Sequence, residues 1–438
     1  MRTAQRAVAI ALFILVASTA YADSRVYTIE DAYDAALKSN EVIMISGESA
    51  IQAESRLDQA WTFLYPRLTA NGSYTQFDDV LPPGGGSFIF QPRDQFNASL
   101  VLTQPLYTGG RTLAALRAAR ALRESGRNDF SSSKQTVLLR VAEAYFGVLK
   151  AQKFVEVSKN SLERMERHKK VTEREAKTRK SKMNVSSLLR ANTLVNQARI
   201  ALVRAEDGLK IARQKLSLLT KLPEDLSVAD PQLLTAPAGA LETLRQTAVQ
   251  NRADYESAKL NQQAAAEIVT VTRGAHYPQM FAEGGVRYQD SQPQTGLDAT
   301  TYYAGIRLQI PIFEGGLMKA EVAEAKSRQR QAELASALLK RIIESEVHEA
   351  LTNLQTFDVV LETARLQVGD AKKNFDTVES LFSEGLVSSL SLIDAEQALS
   401  LSEKELVSAT WDRQLAILRL ERSLGLLGKN FLPRMDTD

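Results

Sequence analysis

Leucine, valine and alanine recur every seven residues in two separate stretches of the chain. In the first stretch the two series are Leu188, Val195, Leu202, Leu209 and Leu216, and Ala191, Ala198, Ala205, Ala212 and Leu219. In the second stretch they are Leu392, Leu399, Leu406 and Leu420, and Ala395, Ala409 and Ala416, with an interruption at Arg413. A sustained seven-residue repeat is typical of supercoiled helices, and alanine in the seam lets the backbones approach closely. Each stretch therefore predicts a helix that packs against another helix.

Other landmarks also occur twice and in the same order. Residues 105–110, Pro-Leu-Tyr-Thr-Gly-Gly, return as residues 311–316, Pro-Ile-Phe-Glu-Gly-Gly. The pair Tyr65-Pro66 returns as Tyr277-Pro278. Repeated landmarks in a fixed order indicate an internal duplication. We therefore predict two structural repeats that share one architecture, at residues 23–230 and 231–438.

Each repeat is predicted to begin with a helix that ends at Tyr-Pro. In the first repeat this helix covers 27–63, with Thr28 as its N-cap and a break at Asn40. Its copy covers 241–274, with Asn251 at the matching place. The helical period should therefore be interrupted once in each of these segments.

After each Tyr-Pro the hydrophobic period changes from helical to alternating, which predicts strand hairpins at 66–107 and 278–313. One face of every strand is apolar and the other is polar. A soluble sandwich would bury the apolar face, whereas an outer-membrane barrel turns it toward lipid and lines a watery lumen with the polar face. Alternation alone leaves both possibilities open.

Long helical hairpins are predicted to follow the strands, at 111–222 and 316–424, because no proline interrupts the chain from 111 to 222 or from 313 to 431. Each hairpin must reverse, near 180–187 and near 383–389. The strand-to-helix bends are assigned to the prolines as strand ends and to the glycines as flexible points: Pro105, Gly109, Gly110, Pro311, Gly315 and Gly316. A helix from 111 to 180 would be roughly 100 Å long at 1.5 Å per residue.

Four strands are too few to close a barrel, since single-chain barrels begin at about 8 strands. Several chains must then share one barrel.

Residues 1–22 have the form of a secretory signal peptide, with Arg2 and Arg6, an apolar run and a small-x-small ending at Ala20-Tyr21-Ala22. The other interpretation is a short membrane anchor, but the apolar run is shorter than the roughly 20 residues that a spanning helix needs. The chain has no cysteine, and its net charge of +2 indicates no bulk attraction to nucleic acid. These features predict an exported protein held by packing alone.

No arrangement of residues indicates an enzyme, a metal site or a cofactor. The three histidines, His168, His276 and His348, are far apart in sequence, and no convergent nucleophile, base or metal cluster is evident. The glycines at 84–86 lack the strand, lysine and helix of a phosphate-binding loop, so they indicate a flexible loop. We expect no catalytic residues, no metal and no cofactor.

Taken in order, these motifs resemble the TolC family of outer-membrane channel proteins. The resemblance rests on residues 141–146, Val-Ala-Glu-Ala-Tyr-Phe, on Gly385 followed by residues 392–395, Leu-Ile-Asp-Ala, and on the duplicated strand ends and helix openings. It implies a mainly α fold with a membrane β-barrel. In such a fold each protomer of a homotrimer contributes four strands to the shared barrel, and the long antiparallel coiled-coil helices form a periplasmic tunnel.

The resemblance also implies residues for docking and gating. Family members present a Val-Gly-Leu-like turn to a periplasmic adaptor, or membrane fusion, protein. The second turn here keeps the glycine as Glu384, Gly385 and Leu386, whereas the first turn has Lys180, Ser181 and Lys182, which depart from that pattern. Family members close the tunnel with acidic side chains just past the turns, and the matching positions here are Asp394, Ser391 and Ser187.

The expected function is the exit duct of a tripartite efflux or type I secretion system. It would lie in outer-membrane lipid, extend into the periplasm, and join an inner-membrane pump of the RND, ABC or MFS type through the adaptor, without contact to nucleic acid. The alternative from another class is a structural coiled-coil protein of the periplasm or cell surface without channel activity. Dependence on detergent separates the two, because only a duct needs it.

Overall fold

The computed structural model describes residues 26–78, 93–178, 182–292 and 299–428, together with the side chains of these ranges except 175–178, 182–185 and 292. The predicted signal peptide lies outside the described residues. The elements, in chain order, are β1 (Val26–Tyr27), α1 (Ile29–Ser39), α2 (Glu41–Thr62), β2 (Arg67–Gln76), β3 (Asp94–Tyr107), α3 (Arg111–Thr178), α4 (Lys182–Thr220), β4 (Ser227–Val228), α5 (Leu241–Asn251), α6 (Ala253–Gly274), β5 (Gln279–Gln292), β6 (Ala299–Gln309), α7 (Leu317–Ser383) and α8 (Ser389–Ser423).

The helical openings of the two halves are each divided into a short and a longer helix. Thr28 caps α1 in a capping box with Asp31, and Asn40 ends α1 and caps α2, as the sequence indicates. In the second half the break lies at Arg252, not at Asn251. The Asn251 side chain instead donates to Thr247 O of its own helix at 2.8 Å, so it stays within α5.

Four long strands form one antiparallel sheet in the order β2-β3-β5-β6, so the central pair β3–β5 joins the two halves. Along β3 the apolar side chains of Leu100 and Leu102 are each 46% exposed, while Ser99 and Thr103 on the opposite face are half-buried. The predicted strand end at Pro105 is wrong, because β3 continues to Tyr107. The register shifts between Pro105 and Tyr107, and this irregularity accommodates a residue that has no N–H to donate.

The long helices form two antiparallel hairpins, α3 with α4 and α7 with α8, and the predicted heptad positions lie in their seams. Met165 of α3 packs on Val195 and Ala198 of α4. The second seam packs Leu392, Ala395 and Leu399 of α8 against Phe375 and Phe382 of α7. At the interruption of the heptad, Arg413 bonds Asp358 of α7 at 2.6 Å, so an ion pair replaces an apolar contact.

The two hairpins are joined through α3 and α8. Phe146 of α3 stacks on Trp411 of α8 with ring centroids 5.9 Å apart. On either side of this stack, Lys150 pairs with Asp412 at 3.1 Å and Glu143 with Arg419 at 2.9 Å. The largest apolar core lies around this stretch of α3.

A small parallel pair, β1 with β4, was not predicted from the sequence. The hydroxyl of Tyr145 in α3 lies beside it, at 2.9 Å from Tyr27 O and 2.8 Å from Ala229 O. This contact fixes both short strands to the middle of α3. Within the described ranges, no helix combines the length and the apolar character that crossing a membrane requires.

Candidate functional site

The second helical turn, between α7 and α8, is built around Gly385. Glu384 is the C-cap of α7, and Gly385 has φ +76°, in the left-handed region that glycine adopts without strain. The N–H of Leu386 donates to Leu381 O at 2.9 Å, and the N–H of Gly385 donates to Phe382 O at 3.0 Å. These two bonds form a Schellman motif, which satisfies the last carbonyls of α7 and projects Leu386 into solvent, 68% exposed.

The start of α8 is fixed by serines. Ser388 is the N-cap, and its side chain accepts from the N–H of Ser391 at 3.3 Å. Ser391 and Asp394 lie one helical turn apart, and both are exposed. Leu392 and Ala395 between and beside them face the seam, so Asp394 lies on the opposite, solvent-facing side of α8.

The first turn is described only in part. Lys180 and Ser181 lie outside the described residues. Lys182 begins α4, and Ser187 is half-buried one turn further on. Three residues after Ser187, at the place that corresponds to Asp394, is the exposed Arg190.

His168 of α3 lies against the second turn, which the sequence did not indicate. Its Nε2 is 2.9 Å from Ser389 Oγ, and its ring meets the Phe382 ring edge-on with centroids 4.9 Å apart. Its Nδ1 is buried and has no hydrogen-bond partner among the described residues. Because burial penalises the charged form, the pKa of His168 is lowered. A neutral imidazole therefore connects the first hairpin to the beginning of α8.

A buried acidic side chain reinforces the same connection. Glu396 of α8 is 4% exposed, and it accepts a hydrogen bond from Ser161 at 2.6 Å. Arg164 lies between Glu396, at 3.3 Å, and Glu403, at 3.1 Å. The sequence patterns did not predict this cluster. The one signal for it was a glutamate next to the seam residue Ala395, because a charge at a helix seam has to be paired.

The strand-to-helix bends all contain glycines with positive φ. The values are +64° and +79° at Gly109 and Gly110, and +60° and +88° at Gly315 and Gly316. Pro311 follows the end of β6 at Gln309 by two residues. These φ values let the chain turn from the sheet into α3 and α7 without strain.

In the ranges that the structure describes, no three histidine or acidic side chains are grouped so that they could hold a metal ion. The arrangement instead combines a sheet, two strand-to-helix bends and two helical hairpins that are joined near their turns.

Comparison with known proteins gives the same fold. The chain is 26% identical over 406 residues to the solvent efflux pump outer membrane protein SrpC of Pseudomonas putida, covering 90% of this chain and 84% of that protein. It is 23% identical over 358 residues to the outer membrane protein TolC of Vibrio cholerae, covering 77% and 78%. The crystal structure of the Campylobacter jejuni CmeC outer membrane channel superposes with a TM-score of 0.80 at 17% identity, over 91% of this chain and 85% of that one.

The model of the outer membrane efflux protein family matches residues 32–220 and 244–426, which is most of the chain. The two matched segments correspond to the two halves seen in the fold. The resemblance to the TolC family that the motifs indicate is thereby confirmed, and so is the location in the outer membrane. This chain belongs to the outer membrane efflux protein family.

Proposed function

We propose that this chain forms, as a homotrimer, the exit duct of a tripartite efflux or type I secretion system. The observation that carries the proposal is the four-stranded sheet, in which β2 and β6 each pair on one side among the described residues. Unpaired strand edges are unsatisfied in lipid, so a membrane sheet must close on itself. Pairing of β6 in one copy with β2 in the next closes the barrel when three copies each contribute four strands.

The proposal divides the chain at residue 230 into two repeats, after a signal peptide at 1–22. Each repeat supplies two strands to the barrel and one helical hairpin to the tunnel below it. The order of described elements supports this division, since two helices, two long strands and a long helical hairpin occur in each half.

The turn of α7–α8 is the surface proposed to dock a periplasmic adaptor. Leu386 projects from a rigid Schellman turn, which gives a partner a fixed apolar point of contact. The adaptor would connect the duct to an inner-membrane pump, of the RND, ABC or MFS type. The first turn, at Lys180, Ser181 and Lys182, is proposed as a weaker second contact.

Asp394 and Ser391 are proposed to line the closed mouth of the tunnel, with Ser187 from the first hairpin. Their exposure on one face of α8, opposite the seam, supports this role. Three-fold symmetry would bring three Asp394 carboxylates together, and such a ring favours cations.

The assembly is tested by light scattering on protein solubilised in detergent and corrected for bound detergent. We expect three chains. A monomer that stays soluble without detergent would instead support the alternative, a structural coiled-coil protein. Such a protein would need the helical hairpins but not the sheet.

The docking surface is tested by cross-linking, which the lack of cysteine makes specific. Leu386→Cys introduces one thiol at the second turn, and Leu218→Cys, at a position 77% exposed near the end of α4, is the matched control. In intact cells the first variant should cross-link to a periplasmic adaptor and the control should not. Equal cross-linking of both variants would show that the second turn is not the docking surface.

A further inference from the structure

A cavity of about 530 Å³ lies between the end of α6 and the first turns of α7. Its lining includes four basic residues, which are Arg273 at the end of α6, His276 just after that helix, and Lys319 and Lys326 from α7. Tyr277, Val322 and Ala323 complete it. Three permanent positive charges therefore surround one concave space.

None of these basic side chains has an ion-pair or hydrogen-bond partner within the ranges that the structure describes, unlike many basic residues nearby. Arg117, for example, bonds Glu267 of α6 at 2.8 Å, and Arg328 pairs with Glu324 on another face of α7. The residues three and four positions from Lys319, toward the C-terminus, are Val322 and Ala323, which cannot pair with it. The positive charges in the cavity are thus left for something outside the chain.

Lys319 is not at its position because it stabilises α7. It lies in the first turn of α7, where the helix dipole is positive and disfavours a cation. That turn contains no acidic residue, and Gly316, the N-cap, provides no side-chain hydrogen bond. The N-terminus of α7 therefore adds to the positive potential at Lys319, which favours an anion beside it.

Apolar side chains lie beside this cationic cavity. The register pairs Gln279 of β5 with Gln309 of β6, which brings Tyr277 close to the segment that follows β6. In that segment Ile310 is 52% exposed, Ile312 93% and Phe313 85%. An anionic head and an apolar chain can therefore bind next to each other, which is the chemistry of a phospholipid and not of a free phosphate ion.

We propose that this cavity binds the phosphate of an anionic phospholipid at the periplasmic surface of the outer membrane. Lys319 and Lys326 contact the phosphate, Arg273 contributes the third charge, and the acyl chains lie along Ile312 and Phe313. This proposal rests on the proposed function, because the cavity lies at the surface of the membrane only if the sheet lies in the membrane. Its effect is to fix the height of α7 relative to the lipid.

The test uses full-length protein in detergent, stripped of lipid and titrated with phosphatidylglycerol, with bound lipid counted by native mass spectrometry. The double variant Lys319→Gln/Lys326→Gln should bind more weakly, by about fivefold for each charge removed. The matched control, Lys372→Gln/Lys373→Gln, removes two exposed charges from the same helix far from the sheet and should bind like the wild type. Lys319→Arg/Lys326→Arg keeps the charges and should keep the binding.

Two results would overturn the site. Equal affinity of Lys319→Gln/Lys326→Gln and the wild type would show that the cavity does not hold the lipid. Displacement of phosphatidylglycerol by inorganic phosphate at equal concentration would show a site for free phosphate instead.

The size and detergent dependence of the wild type are measured in the same samples. If the wild type is not a detergent-dependent trimer, the duct itself fails. If it is such a trimer but the lysines do not matter, only the lipid site fails.

Discussion

Gly109, at the bend after β3, lies so close to Gly274 at the end of α6 that neither residue has room for a side chain. A Cβ on Gly109 would overlap the carbonyl oxygen of Gly274, and a Cβ on Gly274 would overlap the side chain of Arg111. This contact connects the first half of the chain to the second where the sheet meets the helices. It fixes the angle at which α3 leaves the sheet.

The two neighbouring glycines of this bend should therefore respond differently to alanine. Both have positive φ, which costs an alanine about 1–2 kcal/mol, but a Cβ on Gly110 has no atom within 4 Å. Gly109→Ala adds the overlap with Gly274 and should cost about 2–5 kcal/mol in total. The measurement is the apparent melting temperature of the purified protein in detergent. Equal losses in the two variants would show that φ, and not the approach to Gly274, is the constraint.

Gly385→Val should abolish efflux while the assembly and export of the protein remain intact. A β-branched residue strongly resists the left-handed φ of +76° at this position, so the Schellman turn and Leu386 would be displaced. Efflux is measured as substrate accumulation in cells, and assembly by gel filtration in detergent. Gly369→Val, inside α7 and with open space around the glycine, is the control. Normal efflux in Gly385→Val would mean that this turn does not dock the adaptor.

Asp394→Ala should weaken the cation selectivity of the channel and its block by added divalent or trivalent cations. The reason is the loss of three carboxylates from the proposed constriction. Because Ser391 and Ser187 supply no second acidic ring, the block should be weak even in the wild type. Single-channel conductance in planar bilayers measures both properties.

Asp207→Ala provides the matched control for the gate. It removes an exposed carboxylate of α4, 25 positions beyond the start of that helix at Lys182. Its conductance, selectivity and block should equal those of the wild type. If Asp394→Ala also behaves like the wild type, Asp394 is an ordinary surface residue of α8.

The protein should lose stability as the pH falls below about 6.5, and His168 should account for part of that loss. Burial lowers the pKa of His168 from its ordinary value of 6.5, so below that pH the unfolded chain takes up a proton that the folded chain excludes. His168→Gln keeps a polar side chain beside Ser389 but cannot titrate, so its stability should depend less on pH. The difference is bounded by about 1.4 kcal/mol per pH unit for each chain.

Thermal unfolding at pH 5.5 and 7.5 measures this effect. His348→Gln is the control, because it removes an imidazole that is exposed on α7 and lies outside the contact of His168 with Ser389. If His168→Gln loses as much stability on acidification as the wild type, other groups cause the loss.

The features that could be predicted from the sequence are those that depend on residues close together in the chain. The cap at Thr28, the break at Asn40 and the heptad seams are all determined within a few residues, and all three lie where the patterns indicated. The strand end at Pro105 was wrong because a missing N–H ends a strand only when no register shift accommodates it. In the second half the same local reasoning missed the break by one residue, since Asn251 bonds within its own helix.

The contacts that the sequence did not reveal join residues far apart in the chain. Glu396 bonds Ser161 across 235 positions, and His168 meets Ser389 across 221. No periodicity connects such pairs, because each depends on how two helical hairpins lie side by side. For the same reason the roles of Asp394 and Gly385 come from the family resemblance and remain predictions, whereas the positive φ of Gly385 could be expected from glycine at a reversal.

The contact of Tyr145 with β1 and β4 also sets an order of events in time. Its hydroxyl holds a carbonyl 118 positions earlier in the chain and another 84 positions later. The segment at Val26 is synthesised early, yet its partner strand at Ser227 exists only after the whole first hairpin has been made. The strand β1 can therefore pair only after β4 has been synthesised. A fluorophore attached ahead of Val26 would report when these two strands pair.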